Sequence, residues 1–330
     1  GPSYFQGIVN KSEIQDIALT PPLIPPSSLE SLGNFFKAVM ILLQQILKKV
    51  VYTGPFTWTL LYQLGGDKDF EACSFKNFKK LNPPGDRFWA DPFVLESGDR
   101  YFIFVEEFIY KANKGHISIL EMDLNGCLLG TGKIIENPYH MSYPFVFESN
   151  GVCFMIPETG GNRSIDLYRC NEFPWKWEFV KSIMKDINAV DTTLFRYEGK
   201  WWLFTLIDKI NSSLAVSPEL YLFYADDFLA DNWISHPMNP IVTDVRLARP
   251  AGKVFIRDGI VYRPSQDCSG RYGNSFDINQ VTDLTIEMYE EKTILKVRPD
   301  WDRNLKGTHT FNSDGGFTII DTHRLRRRMF

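Results

Sequence analysis

The sequence predicts an all-β fold, a five-bladed β-propeller, and three observations lead there. An Asp-Pro or related polar turn opens an apolar strand, a short Gly-bearing turn follows, and a second aromatic strand returns. This unit occurs five times, beginning at Asp91, Tyr143, Asp191, Arg249 and His309, so that successive copies start 52, 48, 58 and 60 residues apart. A further strand pattern lies between copies, and a period near 50 residues with three or four strands per unit marks a propeller. Aromatic residues make up 15% of the 330-residue chain and hydrophobic residues 44%, a composition that favours strands and supplies a core. A sandwich of stacked hairpins is the competing arrangement.

Gly1-Pro2 reads as a protease scar and Ser3–Gly7 as part of a tag, and residues 1–26 end in the stiff linker Pro21-Pro22-Leu23-Ile24-Pro25-Pro26. Residues 27–52 are expected to be an amphipathic helix. Ser27 with Glu30 forms a capping box, and Leu29, Leu32, Phe36, Val39, Leu43, Ile46, Leu47 and Val50 follow at helical spacing over 28–50. Its apolar stripe fits packing on the main domain, a dimer or upstream-domain contact, or a membrane surface beside Lys48 and Lys49.

Residues 53–330 are expected to form the propeller. Phe56 to Tyr62 alternates as one strand. The five hairpins turn at Ser97-Gly98-Asp99, Ser149-Asn150-Gly151, Glu198-Gly199, Asp258-Gly259 and Asp314-Gly315-Gly316, each a turn sequence between apolar runs. His116–Glu121, Ile165–Arg169, Glu219–Ala225 and Asn274–Ile278 read as third strands. The fifth unit is short of strands, so the strand around Trp58 is expected to complete it and close the ring.

A net charge of −4, with no basic run except Arg324 to Arg328, gives no electrostatic footprint for nucleic acid. The five cysteines are odd in number and scattered, without a CxxC pair, against a disulfide framework or structural zinc. They favour a reducing compartment, cytoplasmic or at the cytoplasmic face of a membrane. No apolar run reaches the roughly 18 residues of a membrane span. No cofactor is expected.

Propeller geometry converts position into location. The starts of the first strands form an inner ring, Asp91, Tyr143, Asp191, Arg249 and His309, on one face of the axis. The ends of the second strands form an outer ring, with Glu106, Glu107, Glu158, Asp208, Arg263, Gln266, Asp267, Asp321 and His323. Together they make a funnel of the kind that binds small ligands. Two inner-ring carboxylates from different blades suit glycosidic chemistry, where an inverting enzyme holds acid and base about 6.5–9.5 Å apart. A lone Asp91 before Pro92 also reads as a turn acid. His140, His309 and His323 share no ligand spacing and read as hydrogen-bonding residues rather than a metal site. Trp89, Tyr143, Tyr262 and Tyr272 are candidates to stack on sugar rings.

Trp89-Ala90-Asp91-Pro92, and Asp191-Thr-Thr-Leu-Phe with the return strand Gly199-Lys-Trp-Trp-Leu-Phe, resemble blades one and three of glycoside hydrolases of families 43 and 62. The resemblance implies Asp91 as general base and Asp191 as the residue that tunes and orients the acid. The chain over 56–324 is similar, more closely, to the N-terminal propeller domain of plant glucosamine inositolphosphorylceramide transferases and related bacterial proteins. Phe88-Trp-Ala-Asp-Pro-Phe-Val, His140-Met-Ser-Tyr-Pro-Phe-Val-Phe, Ile156-Pro-Glu-Thr159, Arg249-Pro-Ala-Gly252, Tyr262-Arg-Pro-Ser-Gln-Asp-Cys268 and Gly307-Thr-His-Thr-Phe-Asn312 carry that likeness.

Where those hydrolases open blade four with an acidic Glu-Gly-Pro turn, this chain has Arg249-Pro250-Ala251-Gly252. Arginine cannot act as the acid near neutral pH, but it can clamp a phosphate. The expectation is therefore a carbohydrate-active propeller in glycan or glycolipid assembly, a glycosyltransferase using a sugar or nucleotide-sugar ligand. Asp91 or Glu158 would be the base, with Arg249 and Arg263 on the phosphate and Trp89, Glu106, His140, Tyr143, Gln266 and His309 lining the site. An inverting hydrolase with Glu158 as a replacement acid and a non-catalytic sugar-binding module beside a separate transferase domain are the alternatives.

Overall fold

In a computed structural model, the chain is described over residues 56–65, 75–207 and 219–325. The expected helix over 28–50 and Asp208 lie outside those residues.

Two strands precede blade one in the chain, β1 (Phe56–Leu64) and β2 (Lys79–Leu81). Blade one is β3 (Arg87–Ser97), β4 (Arg100–Ile109), β5 (Lys114–Asp123) and β6 (Leu128–Ile135), antiparallel from axis to rim. Blade two is β7 (Ser142–Ser149), β8 (Val152–Glu158), β9 (Ser164–Glu172) and β10 (Lys176–Lys185). Blade three is β11 (Ala189–Tyr197), β12 (Lys200–Ile207), β13 (Glu219–Ala225) and β14 (Ile234–Ser235). In blade four the inner strand is broken into β15 (Arg249–Pro250) and β16 (Phe255–Arg257), followed by β17 (Ile260–Asp267), β18 (Ser275–Leu284) and β19 (Tyr289–Val297). Blade five takes β20 (Leu305–Gly307), β21 (Phe311–Asp314) and β22 (Phe317–Leu325) from the end of the described chain, and β1 and β2 from its beginning. The strand around Trp58 thus closes the ring, pairing with β22 from Phe56↔Leu325 to Leu64↔Phe317. Joining the two ends of the ring in one sheet removes the open edge that would otherwise remain between blades.

Large side chains fill the spaces between blades. Phe93, Phe104, Ile117 and Ile119 of blade one meet Phe145, Met155 and Leu167 of blade two, and Leu60, Phe317 and Ile319 of blade five meet Val94, Ile103 and Leu120 of blade one. The outermost strands alternate weakly and lie largely exposed, as the pattern of β6 shows.

One carboxylate is structural. Glu107, buried between blades five and one, accepts hydrogen bonds from Trp89 Nε1 (3.0 Å), Arg87 Nη1 (3.1 Å), His116 Nε2 (2.9 Å) and Ser118 Oγ (3.0 Å). Burial alone would raise its pKa, but these donors outweigh it and hold the carboxyl down at about 2. A folded pKa below the unfolded 4.5 stabilises above pH 4.5 and loses that contribution as pH falls toward 2. Replacing Glu107 with alanine orphans four donors and is expected to cost about 3 kcal/mol at pH 7. In urea titrations that difference should shrink below about pH 4.5.

Candidate functional site

The same irregularity opens the inner strand of blades one, two and three. Between Ala90 and Phe93, Ser142 and Phe145, and Val190 and Thr193, three steps on the inner strand face two on its partner. Each is a β-bulge, a device that re-aims a side chain. The bulged residues are Asp91, Tyr143 and Asp191, held at φ of 49°, 42° and 51°. Such conformations are uncommon outside glycine and most unusual for a residue as bulky as tyrosine, so the surrounding fold imposes them. Three of the five inner-ring positions are therefore strained in the same way, and two of them present carboxylates.

Asp91 is buried and fixed from the two neighbouring blades, two and five. Its Oδ2 accepts from Tyr143 N (3.2 Å) and its Oδ1 from Thr310 Oγ1 (3.0 Å), while His309 Nε2 stands 3.4 Å from Oδ1. His309 Nδ1 lies 2.6 Å from Asp321 Oδ2, and Asp321 also accepts from the backbone N–H groups of Asp91, His309 and Thr310. Trp58 stacks on the His309 ring at 4.1 Å between centroids. Burial raises the Asp91 pKa to about 6, against the pull of His309 and with the repulsion of Asp191 and Asp321. Burial disfavours the His309 imidazolium, but Asp321 and Asp91 outweigh it and its pKa is raised. Asp321 is held low by His309 despite its own burial.

Across the site, Asp191 Oδ2 accepts from Arg249 Nε (2.6 Å) and Gln266 Nε2 (3.0 Å). Arg249 Nη2 reaches to 3.8 Å from Glu158 Oε2, an oxygen that is buried without a hydrogen-bond donor. Tyr272 covers the guanidinium, 4.8 Å from its ring centroid, and its OH lies 3.1 Å from His309 Nε2. Burial, then the charge of Asp191, push the Glu158 carboxyl well above the usual range despite Arg249. Glu106 is raised well above that range too, first by burial and then by Asp91, Glu158, Asp321 and Asp191. His140 accepts from Gly115 N at Nδ1 (2.9 Å), which leaves its Nε2–H toward Glu106 Oε1 at 3.4 Å. Burial lowers its pKa, so the ring is neutral near pH 7.

The structure thus gathers Asp91, Asp191, Glu158, Glu106, Arg249, Gln266 and His309, ring positions in the register, at one mouth of the axis, together with His140. It places four other expected residues elsewhere. Trp89 is buried in the core between blades five and one, with its indole N–H committed to Glu107. Arg263, three residues before Gln266 on β17, is buried inside blade four, where its Nε and Nη2 clasp Glu291 at 2.8 and 2.6 Å. The Tyr143 ring is fully buried and bonds through its OH to Thr193 Oγ1 (2.9 Å) and the Gly252 N–H (2.9 Å), forming the floor of the site rather than a stacking platform. Tyr262 packs on Phe255. Asp321, Thr310 and Tyr272 are site residues that ring position alone undervalues: Asp321 and Thr310 act beneath the surface, and Tyr272 comes from a loop. Ligand atoms of Asp91, His309 and Asp321 lie within 4.8 Å of one another, the spacing of a cation site, although each also has protein partners.

The five-bladed propeller is a fold shared with glycoside hydrolases. Solved structures bear this out at the level of fold. A family 117 glycoside hydrolase of Zobellia galactanivorans superposes with a TM-score of 0.53 at 11% identity, over 83% of this chain and 92% of that one. The catalytic domain of a Coprinopsis cinerea family 62 α-L-arabinofuranosidase gives 0.52 at 9% identity, over 73% and 94%. Residues 73–329 match the family described as glucosamine inositolphosphorylceramide transferase 1, N-terminal, and the chain belongs to that family. It is 35% identical over 207 residues to glucosamine inositolphosphorylceramide transferase 1 of Oryza sativa subsp. japonica, covering 62% of this chain and 27% of that protein. The Arabidopsis thaliana protein of that name is 31% identical over 228 residues, covering 68% and 29%. The matched region spans less than a third of these relatives.

Proposed function

We propose that the cluster is a carbohydrate site in glycan or glycolipid assembly, where Asp91 takes a proton from a sugar or lipid hydroxyl during glycosyl transfer. The observation that carries this reading is the Asp91–His309–Asp321 arrangement. A base is most effective with a pKa near the operating pH, and Asp91 is displaced to about 6. His309, oriented by Asp321, stands beside it to share the proton. Arg249 supports a phosphate-bearing donor: its Nε is committed to Asp191, and its Nη groups remain to meet a leaving phosphate. Burial pushes the Glu158 and Glu106 carboxyls well above their usual range, so at a given pH they carry less negative charge than exposed carboxylates. As pH rises and they ionise, affinity for an anionic donor falls.

The rival reading is a sugar-binding module that serves a transferase region elsewhere in a longer chain. The small share of the plant relatives covered by the match favours it. A hydrolase would need Glu158 as its acid. A thermal-shift screen of nucleotide sugars and oligosaccharides distinguishes these readings. Donor use predicts that a nucleotide sugar raises the melting temperature and that Arg249→Ala abolishes the shift. Oligosaccharides alone giving a shift that survives Asp91→Asn would establish the binding module, and release of free sugar dependent on Glu158 would establish the hydrolase.

A further inference from the structure

The axis has a second mouth on the face opposite the acidic cluster. There the far ends of the inner strands converge on a cavity of about 820 Å³ to which all five blades contribute, among them Leu95, Phe147, Phe195, Lys253 and Asp314, with Trp201. Tyr143, crossing from blade two to Thr193 and Gly252, lies between this cavity and the cluster around Asp91.

Lys253 is the unusual residue. It lies in the break in the inner strand of blade four, and its backbone N–H donates to Asn312 Oδ1 of blade five (2.8 Å), while Asn312 Nδ2 donates to Pro92 O (2.7 Å). Its side chain then crosses the channel to blade one, where Nζ donates to Val94 O (3.1 Å). Among the described residues this is the only acceptor the ammonium has, and it makes no ion pair. An ammonium has three donors, so two remain for something in the cavity. Lys253 is half-buried, so water meets those donors less fully than at the surface, and an anion meets them best. The mouth carries Glu96 and Glu148, both exposed, and Asp314, whose Oδ2 is taken by Glu96 N (2.9 Å). Their solvent-screened charges oppose an anion weakly compared with a half-buried ammonium at contact distance.

We propose that this second mouth binds a small amphiphilic anion, its apolar or aromatic body against Phe147, Phe195 and Trp201 and its carboxylate or sulfonate on Lys253 Nζ. The site is independent of the sugar chemistry proposed above. Burial pushes the Lys253 pKa down to about 8, with Asp314 and Cys153 opposing, so the ammonium is present at pH 7 and lost above pH 8.

The test is a fluorescence titration of the full chain with 1-anilinonaphthalene-8-sulfonate, with melting temperatures recorded in parallel. Saturable binding of one probe per chain is expected at pH 7. Lys253→Met should weaken it about tenfold or more, Lys253→Arg should retain it within about threefold, and Asp91→Asn should leave it unchanged. At about pH 9.5 the native protein should lose affinity while Lys253→Arg keeps it. Should Lys253→Met fail to fold, the pH comparison of native protein with Lys253→Arg decides the matter. Non-saturable binding, equal affinity in folded Lys253→Met, equal pH dependence in Lys253→Arg, or loss in Asp91→Asn would overturn the proposal.

Discussion

Replacing Asp91 with asparagine should lower glycosyl transfer by about 10²- to 10⁴-fold while leaving the protein as stable as before, or more so, at pH 8. The two halves of this expectation have one cause. The Asp91 pKa is about 6 in the fold and 3.8 in the unfolded chain. For an acid with a raised folded pKa, the favourable contribution is full below pH 3.8 and is lost as pH rises through 6. Above that the fold holds a buried carboxylate against its preference, at a cost on the order of 1–3 kcal/mol. Asparagine keeps an acceptor for Tyr143 N and a group for Thr310 Oγ1, but carries no charge to bury. A residue whose neutral replacement stabilises the protein and stops the chemistry is retained for the chemistry. If Asp91→Asn were destabilised and still fully active in transfer, Asp91 would be only a turn acid. Activity is measured by product formation and stability by urea titration at pH 5 and pH 8; the stability gain should be clearly larger at pH 8 than at pH 5.

The blade count, the closure of the ring and the inner ring were all legible in the sequence, because a hairpin leaves a strong local signal. Turn glycines, alternating aromatics and the acid before Pro92 fall within about fifteen residues of one another. Two things were less legible. The outer strands, such as β6 and β10, have exposed faces with little alternation, and without burial on one side a strand has no periodic signature. The direction of single side chains was the other. Glu106 and Glu107 are neighbours on β4, yet one faces the axis cluster and the other the space between blades, where it takes Trp89 with it. Arg263 and Gln266 are three residues apart on β17 and point to opposite faces for the same reason. The bulges at Asp91, Tyr143 and Asp191 shift that parity within a strand, and no residue type marks them in advance.

Gly252→Ala should be severely destabilising, and it separates steric from conformational cost. Gly252 sits at the break in the inner strand of blade four with φ of +142°, and a Cβ there would stand 2.0 Å from Phe311 O and 3.0 Å from Asn312 Oδ1. Neither neighbour can yield cheaply. Phe311 N donates to Ala251 O (2.8 Å), and Asn312 is tied to Lys253 N and Pro92 O. Gly252 N also holds the Tyr143 hydroxyl beneath Asp91. The methyl would therefore push blade four from blade five, and a loss of about 4 kcal/mol or more is expected, which corresponds to roughly 8–16 °C in melting temperature for a domain of this size. Gly259→Ala is the control: its φ is +76°, but nothing lies within 4 Å of its Cβ, so only the conformational penalty of about 1 kcal/mol applies. Equal losses for the two variants would show that backbone preference alone requires glycine at position 252. The expected inequality shows that blade four is docked through a backbone-to-backbone approach, one that also fixes Arg249 on one side of the break and Lys253 within it.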